Sequence, residues 1–163
     1  AKTGMCVLDF DGPRLVWSDS ILLSHRDPGK KLLKLRQLLL DLFERFSPNE
    51  MAIEDVFLPA QTSPRTPISL GELRGVARMC AAEARIPVFF YPPARIKLAI
   101  TGSGRARKED VVRMVESEFR VFLKDHNQAD AISVAYTHWF NRRFEERMRI
   151  SEPSENLAGQ SNM

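Results

Sequence analysis

The sequence predicts an α/β fold in a single domain. Short apolar runs typical of strands, at 5–10, 51–57 and 87–91, alternate with longer segments of helical periodicity. The length of 163 residues is enough to bury one hydrophobic core. We expect the domain to occupy residues 1–150 and the polar segment 151–163 to form a disordered tail.

Composition excludes some classes of protein. The net charge of +3 is too small for total charge alone to predict a nucleic-acid partner. Cys6 and Cys80 both lie in apolar contexts, which fits buried thiols in a reducing compartment and predicts a cytoplasmic location. No run of about 18 apolar residues occurs, so we expect no membrane span.

The amino-terminal part is predicted to be a β-hairpin. Apolar strands at 5–10 and 14–23 flank Asp11-Gly12-Pro13, and Asp-Gly between apolar runs is a strong turn signal. Asp11 is therefore explained by turn chemistry. Asp9, beside the turn, is interpreted as a solvated strand end, with a catalytic carboxylate as the alternative.

A helix is predicted to follow, from Pro28 to about Phe46. Asp27 is a suitable N-cap residue, and proline suits the first helical position. Leucine and phenylalanine recur at helical spacing and give the segment one apolar face. Its basic residues are interpreted as a solvated face.

A second helix is predicted from a capping box. Ser69 and Glu72 have the spacing of this motif, and the helix is expected to run to about Arg85. The preceding segment 58–67, rich in proline, threonine and serine, is expected to be a loop. The strand at 87–91 follows.

The last third of the chain is predicted to be helical. A brief helix or turn at 95–100 is followed by a break at Gly102-Ser-Gly104. Helices are then expected at 108–122, with Phe122 in the buried stripe, and at 128–147.

One strand carries an unexpected charge. Glu54 interrupts the apolar run 51–57, and a carboxylate inside such a run costs several kcal/mol unless a charged group meets it. A metal ion is one suitable partner. The alternative is a strand end at which Glu54 and Asp55 emerge into solvent.

A second acidic position lies at the start of the last helix. Asn127 and His126 precede Asp130 by three and four positions, so all three can share one helix face. A capping or dipole role is the alternative for Asp130. A basic segment separates Glu54 from Asp130, and carboxylates with nearby cations suggest Mg²⁺ and phosphate chemistry. The basic residues are Arg95, Lys97, Arg105, Arg107, Lys108 and Arg113.

A series of motifs occurs in a family-like order. These are Ala-Ile-Glu54-Asp-Val-Phe57, Leu70-Gly-Glu-Leu-Arg-Gly75-Val, Pro87-Val, Ile96-Lys97, Gly102-x-Gly-x-x-x-Lys108, and Ala129-Asp130-Ala131 through Thr137-His138. The series resembles the RuvC-type Holliday-junction resolvases, members of the RNase H-like nuclease superfamily. The resemblance covers nearly the whole chain up to about Phe140.

The resemblance implies roles for individual residues. Glu54 and Asp130 match two catalytic, metal-binding acids of the family. Lys97 and Lys108 match lysines near the scissile phosphate, and Phe57 matches an aromatic residue that contacts bases. Arg105 and Arg107 are expected to contact DNA with them, and the cofactor is expected to be Mg²⁺ or Mn²⁺, with two ions in each complete site.

The chain departs from the family at one metal ligand. The family has Asp or His three residues before its last acid, and here that residue is Asn127. An amide oxygen binds Mg²⁺ without adding charge, so metal affinity is expected to fall. Asn127 remains the expected ligand, with His126 or Asp125 in reserve.

The resemblance also implies a mixed five-stranded sheet of order 3-2-1-4-5, flanked by helices. Ala1-Lys2-Thr3-Gly4 matches the connection that opens the second strand, so the central first strand and its aspartate are expected upstream of residue 1. The strands on either side would then stand about 9.6 Å apart instead of 4.8 Å and expose unpaired edges. We expect this chain to be poorly stable and weakly catalytic. The alternative is that Asp9 supplies the first acid.

The function implied is paired nicking of four-way DNA junctions by a homodimer. The apolar helix at 70–84 is a candidate dimer surface, and a branch-migration motor is a further candidate partner. Two alternatives are a looser branched-DNA or flap endonuclease of phage type, and a catalytically dead junction-binding module.

Overall fold

The computed structural model describes residues 2–55 and 65–151, which contain four strands and five helices. The strands are β1 (Lys2–Asp9), β2 (Arg14–Leu22), β3 (Met51–Glu54) and β4 (Val88–Tyr91). The helices are α1 (Pro28–Phe46), α2 (Arg65–Glu83), α3 (Pro93–Thr101), α4 (Lys108–Phe119) and α5 (His126–Ser151). The α/β class is confirmed. Phe57, most of the loop expected at 58–67 and the tail beyond Ser151 lie outside the described residues.

The strands form two separate sheets. β1 and β2 pair antiparallel as the predicted hairpin, with a register shift between Val7 and Leu8. β3 and β4 pair in parallel, with Met51 opposite Val88 and Glu54 opposite Tyr91. Within the described part of the chain, β1 and β3 each pair on one side only. This matches the expected arrangement of two strand pairs with no strand between them.

A groove separates the two sheets. Its cavity of about 940 Å³ is lined by the full length of β1 and β3. Apolar side chains from the helices also line it, among them Leu35 and Leu39 of α1, Ala77 of α2 and Val134 of α5. The groove therefore has two strand edges as its sides and apolar helix faces above and below.

Helix α5 is the element that both sheets share, and it contacts all four strands. Lys2, at the start of β1, pairs with Asp125 at 2.8 Å, and the Trp139 Nε1 donates to the Phe10 carbonyl at the other end. Glu50, just before β3, instead meets His138. β1 therefore runs in the direction of α5 and β3 runs against it, so the two strands that face the groove are antiparallel to each other.

Among the described residues, the core consists of three packed clusters. One joins α1 and α2, with Leu39 and Cys80 buried in it. A second joins α4 and α5 through Val115 and Ile132, and a third packs Tyr91 of β4 on α3 and α5. Cys80 is fully buried, whereas Cys6 is only partly so, and both thiols are free.

Helix α1 matches its prediction closely. The Asp27 carboxylate accepts from the backbone N–H groups of Gly29 and Lys30 at 2.8 and 3.4 Å, as an N-cap residue does.

None of the helices in the described ranges combines the length and apolar character needed to cross a bilayer.

Four predicted details are wrong. The capping box at Ser69 does not form, because α2 already begins at Arg65 and the Ser69 hydroxyl instead accepts from the Lys31 Nζ at 2.7 Å. A proline in a first helical turn, here Pro67, removes no intrahelical hydrogen bond, so it does not delay the helix. Helix α4 ends at Phe119, since Arg120 adopts a left-handed conformation (φ 53°).

The third correction concerns Phe122, whose side chain is 100% exposed instead of buried. Because the helix stops before it, Phe122 leaves the apolar stripe that the helical period assigned to it. The last helix begins at His126, two residues earlier than predicted.

Candidate active site

Glu54 lies at the carboxyl end of β3, half-buried beside the groove. Burial raises the pKa of its carboxyl group above the usual range, and the nearby charge of Asp130 raises it further. Lys108 and Lys97 act in the opposite direction. Glu54 is therefore not a solvated strand end but a carboxylate held among other charges.

The neighbouring acid, Asp55, has a different environment. Its carboxylate accepts from the Arg74 guanidinium at 2.7 Å, and its backbone N–H donates to the Tyr91 carbonyl. Asp55 is therefore a paired acid next to Glu54, and it provides a matched control for it.

Asp130 comes from the second turn of α5 and is also half-buried. Burial raises the pKa of its carboxyl group, while Lys108, His126 and Lys97 lower it. The two acids and the two lysines named by the sequence are thus close enough to act on each other, although they come from β3, α3, α4 and α5. Glu54, Asn127 and Asp130 line the same groove.

The reserve ligands have other environments. The Asp125 carboxylate accepts from the Lys2 Nζ and the Ser20 hydroxyl, both at 2.8 Å, and from the backbone N–H groups of Asn127 and Gln128. These bonds, led by that from Lys2, hold the pKa of Asp125 well below its usual range. Asp125 is fully engaged as the helix cap, and His126 is exposed and does not line the groove. Asn127, which lines the groove with Asp130, remains the candidate ligand.

Asp9, the alternative first acid, lies away from Glu54 and Asp130. Its carboxylate accepts from the Arg14 guanidinium at 2.7 Å beside the hairpin turn. Arg14 also holds the pKa of Asp9 below its usual value. That end of β1 lies against Trp139 rather than Asp130.

The two lysines lie on neighbouring helices, Lys97 in the middle of α3 and Lys108 at the start of α4. Lys97 lies half-buried on α3, which Gly102 ends in a left-handed conformation (φ 77°) that favours glycine. Lys108 is exposed at the first position of α4, where a positive charge opposes the helix dipole. A residue that is unfavourable for its own helix is a candidate for a functional role.

The arginines of this region differ in their pairing. Arg105 is exposed, and Arg107 lies 3.6 Å from the Asp110 carboxylate. Asp110 also accepts from Arg113. Arg95 donates to the Asn141 side chain at 2.8 Å. Arg105 and Arg107 therefore extend the cationic surface that begins at Lys108.

The donor set suits a hard divalent cation. Two carboxylates and an amide oxygen are the ligand types that Mg²⁺ and Mn²⁺ prefer. Burial disfavours the charged forms of Glu54 and Asp130, and a bound cation would offset that cost. In the described ranges, no three His, Cys, Asp or Glu side chains come together as a metal-binding group.

A second polar cluster was missed by the sequence analysis. Glu50 accepts from the Arg142 guanidinium at 2.7 Å and meets the His138 Nε2 at 2.8 Å. The other ring nitrogen of His138 lies 2.8 Å from the Tyr91 hydroxyl. The cluster fastens the start of β3 to α5, so it fixes the strand that carries Glu54. His138 and Arg142 lie four residues apart on one face of the last helix, and that spacing was the signal in the sequence.

Replacing Glu50 with glutamine is expected to lower the Tm by about 3–6 °C, because buried His138 and half-buried Arg142 lose their carboxylate partner, at a cost of about 1–2 kcal/mol. Burial opposes the shift, but the bonds from Arg142 and His138 lower the pKa of Glu50. A depressed folded-state pKa gives stability that is present above the ordinary value and lost as the pH falls. Thermal melts should therefore show a difference at pH 7 that shrinks as the pH falls below about 4, towards the lowered pKa of Glu50.

Glu145→Gln is the matched control, since Glu145 pairs with the same Arg142 but is half exposed. A Tm change no larger than that of the control, or one that persists in acid, would contradict the role given to Glu50.

The comparisons with known proteins are consistent with one another. The family model described as crossover junction endodeoxyribonuclease RuvC matches residues 1–138. A protein of that name from Anaeromyxobacter sp. is 36% identical over 144 residues, covering 86% of this chain and 69% of the relative. Another, from Xanthobacter autotrophicus, is 34% identical over 154 residues and covers 92% of this chain and 90% of the relative.

Solved structures give the same match. T. thermophilus RuvC in complex with a Holliday junction substrate superposes with a TM-score of 0.74 at 29% identity, over 81% of each chain. A second Thermus thermophilus RuvC structure gives a TM-score of 0.72 at 28% identity, over 88% of this chain and 89% of the other.

Proposed function

The chain belongs to the crossover junction endodeoxyribonuclease RuvC family, and on that premise we propose that it is a metal-dependent endonuclease of branched DNA. Four-way junctions are its proposed substrate, as in the complex of its structural relative. One observation carries the proposal. Half-buried Glu54 and Asp130 line the same groove, and the charges of Lys97 and Lys108 act on both carboxyl groups.

Glu54, Asp130 and Asn127 are the proposed ligands of Mg²⁺ or Mn²⁺. When bound, such ions activate the attacking water and stabilise the leaving oxygen. The two carboxylates bind protons more tightly than ordinary ones, so protons compete with the cation as the pH falls. Asn127 adds an oxygen without charge, which leaves the site dependent on its two acids.

The cationic residues are proposed to hold the DNA. Lys108 places positive charge where the scissile phosphate develops negative charge, and Lys97 supports it from α3. Arg105 and Arg107 are proposed to contact the phosphate backbone on either side. Phe57, two residues beyond the described end of the β3 segment, is proposed to contact bases.

Lys108→Ala and Lys97→Ala are each expected to weaken junction binding and to reduce the salt dependence of log K by about one per lysine. Binding titrations at several salt concentrations measure this slope. Lys108→Ala should also slow nicking at saturating DNA, whereas Lys30→Ala, on the exposed face of α1, should leave both quantities unchanged. Equal slopes for all three variants would contradict the assignment.

We propose that a strand in the groove completes the site. Two ions need more negative charge than Glu54 and Asp130 supply, and β1 and β3 both present unpaired edges to the groove. A strand antiparallel to β1 would run parallel to β3 and satisfy both edges. An aspartate on it, level with Glu54, would be the third acid of a complete site that binds two ions.

A homodimer is the proposed assembly, because two-fold symmetry would place one site on each of two DNA strands. Helix α2 is the proposed surface. Ile68 and Met79 are exposed on it, and a Cβ added at Gly71 or Gly75 would meet open space. We also propose a cytoplasmic location and a branch-migration motor as a further partner.

The test is Mg²⁺-dependent nicking of a synthetic four-way junction, with the groove strand supplied. Nicking that requires Glu54 and Asp130 supports the proposal. Tight junction binding without nicking would instead favour a binding module that has lost catalysis.

A further inference from the structure

Strand β2 presents three consecutive polar residues to the start of α5. The Ser18 hydroxyl accepts from the Gln128 side chain at 2.7 Å, and the Asp19 carboxylate accepts from the Lys124 Nζ at 2.8 Å. The Ser20 hydroxyl donates to the Asp125 carboxylate at 2.8 Å. We call these three pairs, together with Lys2, the α5 clamp.

Asp125 is the centre of the clamp. One carboxylate oxygen accepts from Lys2 of β1 and Ser20 of β2, and the other accepts from the backbone N–H groups of Asn127 and Gln128 at 3.0 and 3.2 Å. A single side chain therefore caps the helix and binds it to both strands of the hairpin. Its side chain is only 16% exposed, so water competes poorly for these bonds.

Strand β1 continues the contact past Asp125. A Cβ added at Gly4 would lie 1.8 Å from the Asn127 carbonyl oxygen, so the two backbones touch at a distance that only glycine allows. The Cys6 thiol donates to the Ala131 carbonyl at 3.2 Å. The hairpin thus holds α5 at residues on both sides of Asp130.

The two acids of the candidate site lie on different elements, and the Glu50 cluster joins those elements at His138 and Arg142, about two turns beyond Asp130. Glu54 is carried by the β3–β4 sheet, which does not pair with the hairpin in the described residues. Asp130 is carried by the helix that the hairpin holds. The spacing between the two carboxylates therefore depends on how the first turns of α5 are seated.

We propose that Asp125 is a positioning residue for the metal site: the α5 clamp sets the place of Asn127 and Asp130 relative to Glu54. The inference rests on the proposed function and deepens it, because Asp125, whose carboxylate is occupied by Lys2, Ser20 and the helix N–H groups, acts through Asn127 and Asp130. A misplacement of about 1 Å in such a site costs up to about a hundredfold in rate.

The test compares Asp125→Ala, Asp125→Asn and Ser20→Ala with the wild-type chain, the groove strand being supplied in every case. Mn²⁺ affinity is measured by calorimetry, nicking by kcat and KM separately, and the seating of α5 by amide hydrogen exchange of residues 128–134. Asp125→Ala should weaken Mn²⁺ binding about tenfold and lower kcat by at least as much, with KM for the junction unchanged. Asp125→Asn, whose amide oxygen can still cap the helix, should recover part of each loss.

Ser20→Ala keeps the interpretation secure if Asp125→Ala fails to fold, because it removes a single hydrogen bond. It should accelerate exchange in the first turns of α5 and weaken Mn²⁺ binding a few-fold. Glu83→Gln is the control, since it breaks the exposed Arg36–Glu83 pair between α1 and α2. It should change neither Mn²⁺ affinity nor kcat.

Two results would overturn the inference alone, provided that the wild type binds Mn²⁺ and nicks the junction. In the first, the clamp variants match the wild type in Mn²⁺ affinity and kcat. In the second, hydrogen exchange in α5 becomes faster while Mn²⁺ affinity and kcat stay unchanged. A wild type that binds no Mn²⁺, with the groove strand supplied, would instead contradict the proposed function, and the inference would fall with it.

Discussion

Glu54→Gln is expected to abolish junction nicking and, at the same time, to make the fold more stable. Loss of a metal-binding carboxylate removes several kcal/mol of transition-state stabilisation, which is at least about a hundredfold in rate. The gain in stability follows from the raised pKa of Glu54, because the folded state disfavours the charged carboxylate. The neutral amide avoids that cost.

The pH dependence gives the sign of this effect. A carboxyl group whose folded-state pKa is raised destabilises the fold above that pKa and has no such effect below its ordinary value. At pH 7 the variant should therefore melt about 2–4 °C higher, the shift that about 1 kcal/mol produces in a domain of this size. The difference should disappear below about pH 4.

With Mg²⁺ added, the wild type should have a higher Tm than the Glu54→Gln variant. A cation that binds the folded wild type raises its Tm, whereas the variant lacks one of the two acids that bind it. Asp55→Asn is the matched control, because Asp55 is paired with Arg74 instead. The control should nick normally and respond to Mg²⁺ like the wild type. A Glu54→Gln protein that still nicks would refute the role of Glu54.

Filling the groove is expected to produce the largest gain in both stability and activity. A segment of about six residues, rich in valine and isoleucine and joined ahead of Lys2 by a two-residue turn, can pair with β1 and β3 together. Each buried aliphatic side chain contributes about 1.5–3 kcal/mol, offset by about 1–2 kcal/mol per residue of backbone ordering. The net gain of a few kcal/mol should raise the Tm by about 5–15 °C.

Three versions of the segment separate packing from chemistry. The version with one aspartate level with Glu54 should raise both Tm and nicking. The version with asparagine at that position should raise the Tm equally and leave nicking weak. A glycine-serine segment of the same length should do neither. A groove segment that leaves the Tm unchanged would contradict the strand-accepting groove.

The sequence was most informative where the signal is local. Asp27-Pro28 marked the start of α1 because capping depends on neighbouring residues, and Asp11-Gly12 marked the hairpin turn for the same reason. Glu54 was found because a charge within an apolar strand violates a local rule. The structure gives it the charged surroundings that the violation suggested.

The sequence was least informative where contacts join distant segments. Glu50 and His138, and likewise Ser20 and Asp125, meet only after the helices are packed, and neither pair has a sequence pattern of its own. Phe122 was misassigned because the helical period was extended past Arg120, whose left-handed backbone ends α4. The start of α2 was misplaced because Ser69 offered a local cap that tertiary packing did not use.

The most direct test of the central claim is cleavage of a four-way junction, a flap and a linear duplex, side by side with Mg²⁺. The chain with the aspartate-bearing groove strand is compared with its Glu54→Gln and Asp55→Asn variants. The account predicts paired nicks in two strands of like polarity in the four-way junction and little cutting of the duplex. The Glu54→Gln variant should lose these nicks, and the Asp55→Asn variant should retain them. Nicks that survive Glu54→Gln, or a stable, junction-bound protein that cuts none of the three substrates, would contradict it.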